Sequence, residues 1–131
     1  MPDKRVQWDA IGRRRCNMKS LSALQPVVRL AIVNPDGTNR SEFGRGIANL
    51  CRGVRETGSL NAAAKQMGMA YSKAWRIIKD TESMLGIQLL NRDGAHGSTL
   101  TEEGEALLNE YDALSERLQK KAEADFQKAM K

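Results

Sequence analysis

Apolar positions in this chain recur in steps of three and four over most of its length. Ile47, Leu50, Cys51 and Val54 fall at i, i+3, i+4 and i+7, the single face of a helix that ends near Thr57-Gly58. Leu60, Ala63, Ala64 and Met67 repeat that spacing at once, and Ser59 stands where a side chain caps a helix start. Ala63 and Ala64 are small, so a second helix can cross closely there. Gly68 sits where the chain must leave the helix with positive φ. A third helix follows, with Ala74, Ile78, Thr81 and Leu85 as its inward stripe and an end near Leu85-Gly86. Its outward side carries Tyr71, Ser72, Lys73, Arg76 and Lys79.

The pattern changes on either side of these helices. Residues 27–33 are apolar and β-branched enough for a strand, and Asn34-Pro35-Asp36-Gly37 is turn chemistry. A return strand over residues 38–43 would complete an N-terminal β-hairpin. After the third helix, Leu89-Leu90-Asn91-Arg92 and Thr99-Leu100 flank a glycine-bearing loop, which predicts a β-hairpin wing. Thr101 caps a last helix whose first turn carries Glu102 and Glu103, the charge that suits a helix N-terminus. Leu107, Tyr111, Leu114, Leu118, Ala122 and Phe126 form its stripe. Such a helix would run roughly 40 Å at 1.5 Å per residue. That is too long to bury on so small a core, so a second copy of the chain is its expected partner, in an antiparallel homodimer. The alternative is fraying beyond residue 118.

The fold class expected is therefore mainly α with a small β component: a winged helix-turn-helix with an N-terminal β-hairpin and a long C-terminal dimerisation helix. Residues 1–20 form a basic, flexible arm, residues 21–100 the winged helix-turn-helix, and residues 101–131 the dimerisation helix. Met18 is an alternative start, since ordered patterning begins only after it.

Charge sharpens this reading. The 131 residues carry a net +5, unevenly distributed. Residues 1–20 hold six Lys/Arg against two Asp, residues 59–92 five basic against two acidic, and residues 101–131 five against eight. A basic middle with an acidic tail fits a module that faces nucleic acid and uses its tail for something else. The second helix of the pair then presents a hydrogen-bonding, cationic face to a major groove. The bland alternative is an ordinary helical hairpin with a solvated basic side. Arg13-Arg14-Arg15 either tracks phosphates or belongs to a leader with no role. Arg92 at the wing base meets either a phosphate or a surface carboxylate, and His96 in the tip reads as idle.

Other classes find no support. Two cysteines, Cys16 and Cys51, and one histidine give no metal set, and Cys51 lies on an apolar helical stripe as a core thiol. No apolar run reaches the ~18 residues of a membrane span, and the first twenty residues lack a signal peptide's apolar stretch. A cytoplasmic chain with no cofactor, no small-molecule effector and no catalytic set is expected. Phosphate-loop and nucleophile-elbow motifs are missing.

From Phe43 to about Leu118 the chain resembles the DNA-binding domains of LysR-type and ModE-type (molybdate-responsive) bacterial regulators. The shared residues are Thr57-Gly58-Ser59-Leu60 with Ala62-Ala63-Ala64, then Leu85-Gly86, Leu89-Leu90-x-Arg92, and Leu100-Thr101-x-x-Gly104. The run Met69-Ala70-Tyr71-Ser72-Lys73-Ala74-Trp75, with the preceding Asp36-Gly37 and Phe43-Gly44, leans toward the ModE type. It departs in placing the lysine one residue later, in having Ala70 for a serine, and in a shorter wing. The resemblance implies a homodimeric transcriptional regulator that binds an inverted repeat in double-stranded DNA. It implies contacts from Ser59, Tyr71, Ser72, Lys73, Arg76, Lys79 and Arg92, with Trp75 packing the reading helix onto the body. Nothing after the long helix matches a molybdate-binding or larger effector domain, so molybdate sensing is not implied. A protein–protein adaptor and a non-specific architectural DNA-binding protein are the rival readings.

Overall fold

The computed structural model describes residues 18–92 and 97–131. Its elements are α1 (Met18–Leu21), α2 (Arg45–Thr57), α3 (Leu60–Gln66), α4 (Tyr71–Leu85), β1 (Leu90–Arg92), β2 (Ser98–Leu100) and α5 (Glu102–Met130). This is the mainly α class that the apolar pattern predicts, with the wing as the one two-stranded sheet among the described residues. Most of the basic arm, with Arg13-Arg14-Arg15 and Cys16, lies outside the described residues, as does His96 in the wing tip.

The chain divides into two compact units, Arg29–Glu116 and the pair of segments Met1–Val28 and Arg117–Lys131. In the larger unit α2, α3 and α4 bury one core, with Phe43, Leu50, Leu60, Ile78, Leu89, Leu90 and Leu108 wholly enclosed. The small residues set how closely α2 and α3 cross. A Cβ on Gly53 would come within 2.7 Å of the Ala63 Cβ. Ser59 caps α3 by accepting from the Ala62 amide at 3.1 Å. Gly58, Gly68 and Gly86 leave their helices in the left-handed region, with φ of 71°, 66° and 78°.

The sheet is antiparallel, with Leu90 opposite Leu100 and Arg92 opposite Ser98. Thr101 starts α5 as expected: its hydroxyl accepts from the Gly104 amide at 2.9 Å and donates to the Gln88 carbonyl at 2.6 Å. Gly104 lets α5 approach the wing closely, since a Cβ there would collide with the Leu89 carbonyl oxygen.

Two expectations are modified. The N-terminal hairpin narrows to a single antiparallel bridge, Ile32 with Phe43. Side chains occupy the backbone groups that a longer ladder would need. The Leu30 carbonyl accepts from the Tyr111 hydroxyl at 3.1 Å, and the Ser41 amide donates to the Asn39 side chain at 2.8 Å. The inner face of α5 in this unit is also rotated from the expected stripe. Gly104, Leu108 and Tyr111 are buried, while Leu107 is only partly covered. Tyr111 meets Phe43 edge-on at 5.4 Å.

In the smaller unit a polar ladder, which the apolar pattern does not foreshadow, holds residues 22–28 against α5. Gln119 accepts from the Val28 amide at 2.8 Å and donates to the Pro26 carbonyl at 2.8 Å. Glu123 accepts from Gln25 at 2.9 Å, and Gln127 donates to the Ser22 carbonyl at 2.9 Å. Hydrogen bonds hold the Glu123 carboxyl below its usual range, Gln119 contributing most and Gln25 next.

Candidate nucleic-acid interface

The open face of α4 follows from its register. At about 100° per residue, Ser72, Lys73, Arg76, Lys79, Asp80 and Ser83 fall within an arc of roughly 120°, and all six are exposed. The opposite side buries Ala74, Ile78, Thr81, Glu82 and Met84. Ala70 supplies no side-chain cap, so the first amides of α4 have no such partner. Lys73, Arg76 and Lys79 have no ion-pair partner among the described residues. Two cations further along α2 differ. Arg52 is bound to Asp112 at 2.5 Å, and Arg55 to Glu105 at 2.6 Å and Asn109 at 2.8 Å. Three open cations thus share one face of the helix that the sequence assigns to reading.

Tyr71 departs from this group. It is exposed but turned by roughly 140° from Arg76 at the helical repeat, and its ring meets Trp75 edge-on at 6.2 Å. Trp75 is itself half-buried against the core. Ser59 stands apart too, at the start of α3 with its hydroxyl engaged in the cap. Arg92 holds its place in β1 opposite Ser98. Ser72, Lys73, Arg76 and Lys79 thus share one surface, and Tyr71 lies to one side of it.

Glu82 positions the wing, and the apolar pattern gives no sign of it. Its buried carboxylate accepts from the Leu89 amide at 2.7 Å and the Leu90 amide at 3.3 Å. A carboxylate at an inward helical position is a signal that a buried acceptor is needed nearby. Across the sheet, the Ser98 amide donates to the Gly58 carbonyl at 2.9 Å. The wing is therefore fixed both to α4 and to the turn that begins the helix pair.

Residues 49–105 match the model for the bacterial regulatory helix-turn-helix protein of the lysR family. That segment is similar to the LysR-type helix-turn-helix. The matching segment carries α3, α4 and both wing strands. The HTH-type transcriptional regulator CrgA of Neisseria meningitidis is 51% identical over 51 residues, which make up 39% of this chain and 17% of CrgA. The transcriptional regulator ModE of Yersinia pestis is 35% identical over 75 residues, 54% of this chain and 28% of ModE. The crystal structure of a CbnR_DBD–DNA complex superposes with a TM-score of 0.52 at 27% identity, over 63% of this chain and 93% of that one. The chain thus spans well under a third of the curated relatives it matches. No helix among the described residues is long and apolar enough to cross a membrane.

Proposed function

We propose that the chain is a sequence-specific regulator that binds double-stranded DNA and controls transcription, without catalysis. One observation carries this reading. The open face of α4 holds Ser72, Lys73, Arg76 and Lys79 with no carboxylate partner to neutralise the cations, in a segment similar to one solved on DNA. Lys73 and Lys79 give phosphate attraction, Arg76 and Ser72 give base readout, and Ser59, Tyr71 and Arg92 flank them as backbone contacts. Residues 1–20 add basic charge for affinity that does not depend on sequence.

Residues 101–131 serve dimerisation in this proposal. Leu24, Val27 and Leu118 are exposed apolar side chains of the smaller unit, the kind of surface a second copy covers. A homodimer would set two copies of α4 about 34 Å apart, one turn of DNA, and would select an inverted repeat.

The test is selection from a randomised duplex pool, followed by anisotropy at two salt concentrations. Salt-sensitive binding that enriches an inverted repeat is the expected result. Equal affinity for all duplexes would point to an architectural protein. No binding at low salt would leave a protein–protein adaptor as the better reading.

A further inference from the structure

We infer that Arg40 and Arg45 form a second phosphate-binding flank beside α4, on the side opposite the wing, so that the duplex is held between two shoulders. This rests on the DNA-binding reading above. The two sides of α4 are anchored differently. On one side, Glu82 holds the wing through the Leu89 and Leu90 amides. On the other lie Lys73, Ile77, Asp80 and Met84, which share a flank at the helical repeat. There the Asn39 side chain donates to the Asp80 carbonyl at 3.0 Å. Gly37 lies so close that a Cβ on it would come within 2.9 Å of the Met84 carbonyl oxygen. The loop that carries Arg40 is therefore docked along α4, next to the open face.

Arg45 arrives at the same flank from α2. Together with Glu42, Met69 and Ile77 it lines a shallow cleft. Both arginines are exposed, and neither has an ion-pair partner among the described residues. Arg45 opens α2, whose first turn holds no acidic residue and whose N-cap, Gly44, makes no side-chain bond. A cation at a helix N-terminus opposes the macrodipole, so local stability does not account for it. The Glu42 carboxylate lies near the start of α2, 4.0 Å from the Cβ position of Gly44. Asp36, Glu42 and Asp80 are the carboxylates of this loop and flank, and no ion pair joins any of them to Arg40, Arg45 or Lys73. The arginine side chains, rather than the helix end, are what a phosphate would meet.

The experiment measures Kd of the full chain on its selected duplex by anisotropy between 50 and 200 mM salt. Wild type is compared with R40A, R45A, the R40A/R45A pair, R40K/R45K and R76A, each checked for folding by circular dichroism. Removing one phosphate-binding side chain should reduce the slope of log K against log salt by about 0.9, so the alanine pair loses about 1.8. R40K/R45K keeps the slope, and the selected sequence is unchanged in every Arg40 and Arg45 variant. If the pair is destabilised, each single substitution still reads about 0.9. An unchanged slope in the alanine variants, with R76A weakened, overturns the second flank and leaves the DNA-binding reading standing. A shifted sequence preference with the slope intact overturns it as well. Failure of wild type to bind any duplex overturns both.

Discussion

The Ser98 amide donates to the Gly58 carbonyl at 2.9 Å, and this bond joins the wing to the turn that opens the helix pair. Gly97 makes it possible. Its φ is 99°, and a Cβ there would collide with the same Gly58 oxygen. Gly97→Ala therefore strains the backbone and pushes the two segments apart. The expected cost is about 2 kcal/mol or more in urea unfolding, with faster exchange of the Ser98 amide. Equal stability and undiminished protection of Ser98 would show that the wing does not depend on this bond.

Glu82→Ala removes the acceptor of two buried amides, Leu89 and Leu90. Buried donors left without partners cost about 1–3 kcal/mol each in desolvation, so a loss near the upper end is expected. Glu82→Gln keeps one carbonyl acceptor and should lose less. Thermal unfolding of the two variants measures the difference, and an alanine variant as stable as wild type would mean water replaces the carboxylate without penalty.

Helix existence is legible in the sequence because α2, α3 and α4 each bury one face at the helical repeat, and Ser59, Gly58, Gly68 and Gly86 mark their ends. The close crossing is legible too, from Ala63, although its partner Gly53 carries no such signal. What escapes is polar. Glu82, Gln119 and Tyr111 settle where backbone groups pair, and periodicity carries no information about which side chain meets which distant amide. That is why residues 27–33 read as a strand when only Ile32 pairs with Phe43. Leu108 is hidden because Leu107 beside it fits the same spacing, and adjacent leucines leave the rotation of a helix undetermined. On the open face, Ser72, Lys73, Arg76 and Lys79 are legible as one group. Tyr71 reads as a member of that face because it is exposed beside Ser72 and Lys73, although it is turned roughly 140° from Arg76.

Cys51 is wholly enclosed in the core, and burial pushes its thiol up to about 12, with Glu82 adding to the rise. The native protein should leave Cys51 unmodified by iodoacetamide at pH 8, since the thiolate is the nucleophile. Peptide mapping would show alkylation there only after denaturation. The pH dependence follows from the same burial. The folded state keeps its proton above pH 9.0, where the unfolded thiol loses it. The stabilisation is full below that value and is lost toward pH 12, at up to roughly 1.4 kcal/mol per pH unit. Cys51→Ala should be less stable at neutral pH and lack this component of the alkaline slope. Parallel slopes for both proteins would contradict the assignment.

Arg76 and Lys79 should separate readout from attraction. Arg76 lies at the centre of the open arc of α4, with Ser72 and Ser83 close to it in register, so its guanidinium stands where a groove floor would be. A planar fork suits guanine O6 and N7, and losing it should cost about 1–3 kcal/mol and relax one position of the site. Lys79 lies roughly 60° off that centre, at the rim of the arc, where a bound duplex would bring its phosphates. Lys79→Ala should weaken binding about equally for all sequences and reduce the salt slope by about 0.9. Repeating the selection with each variant decides between them. If Arg76→Ala selects the wild-type sequence unchanged while its salt slope drops, the two side chains have the same role and base readout must come from Ser72, Lys73 or Tyr71.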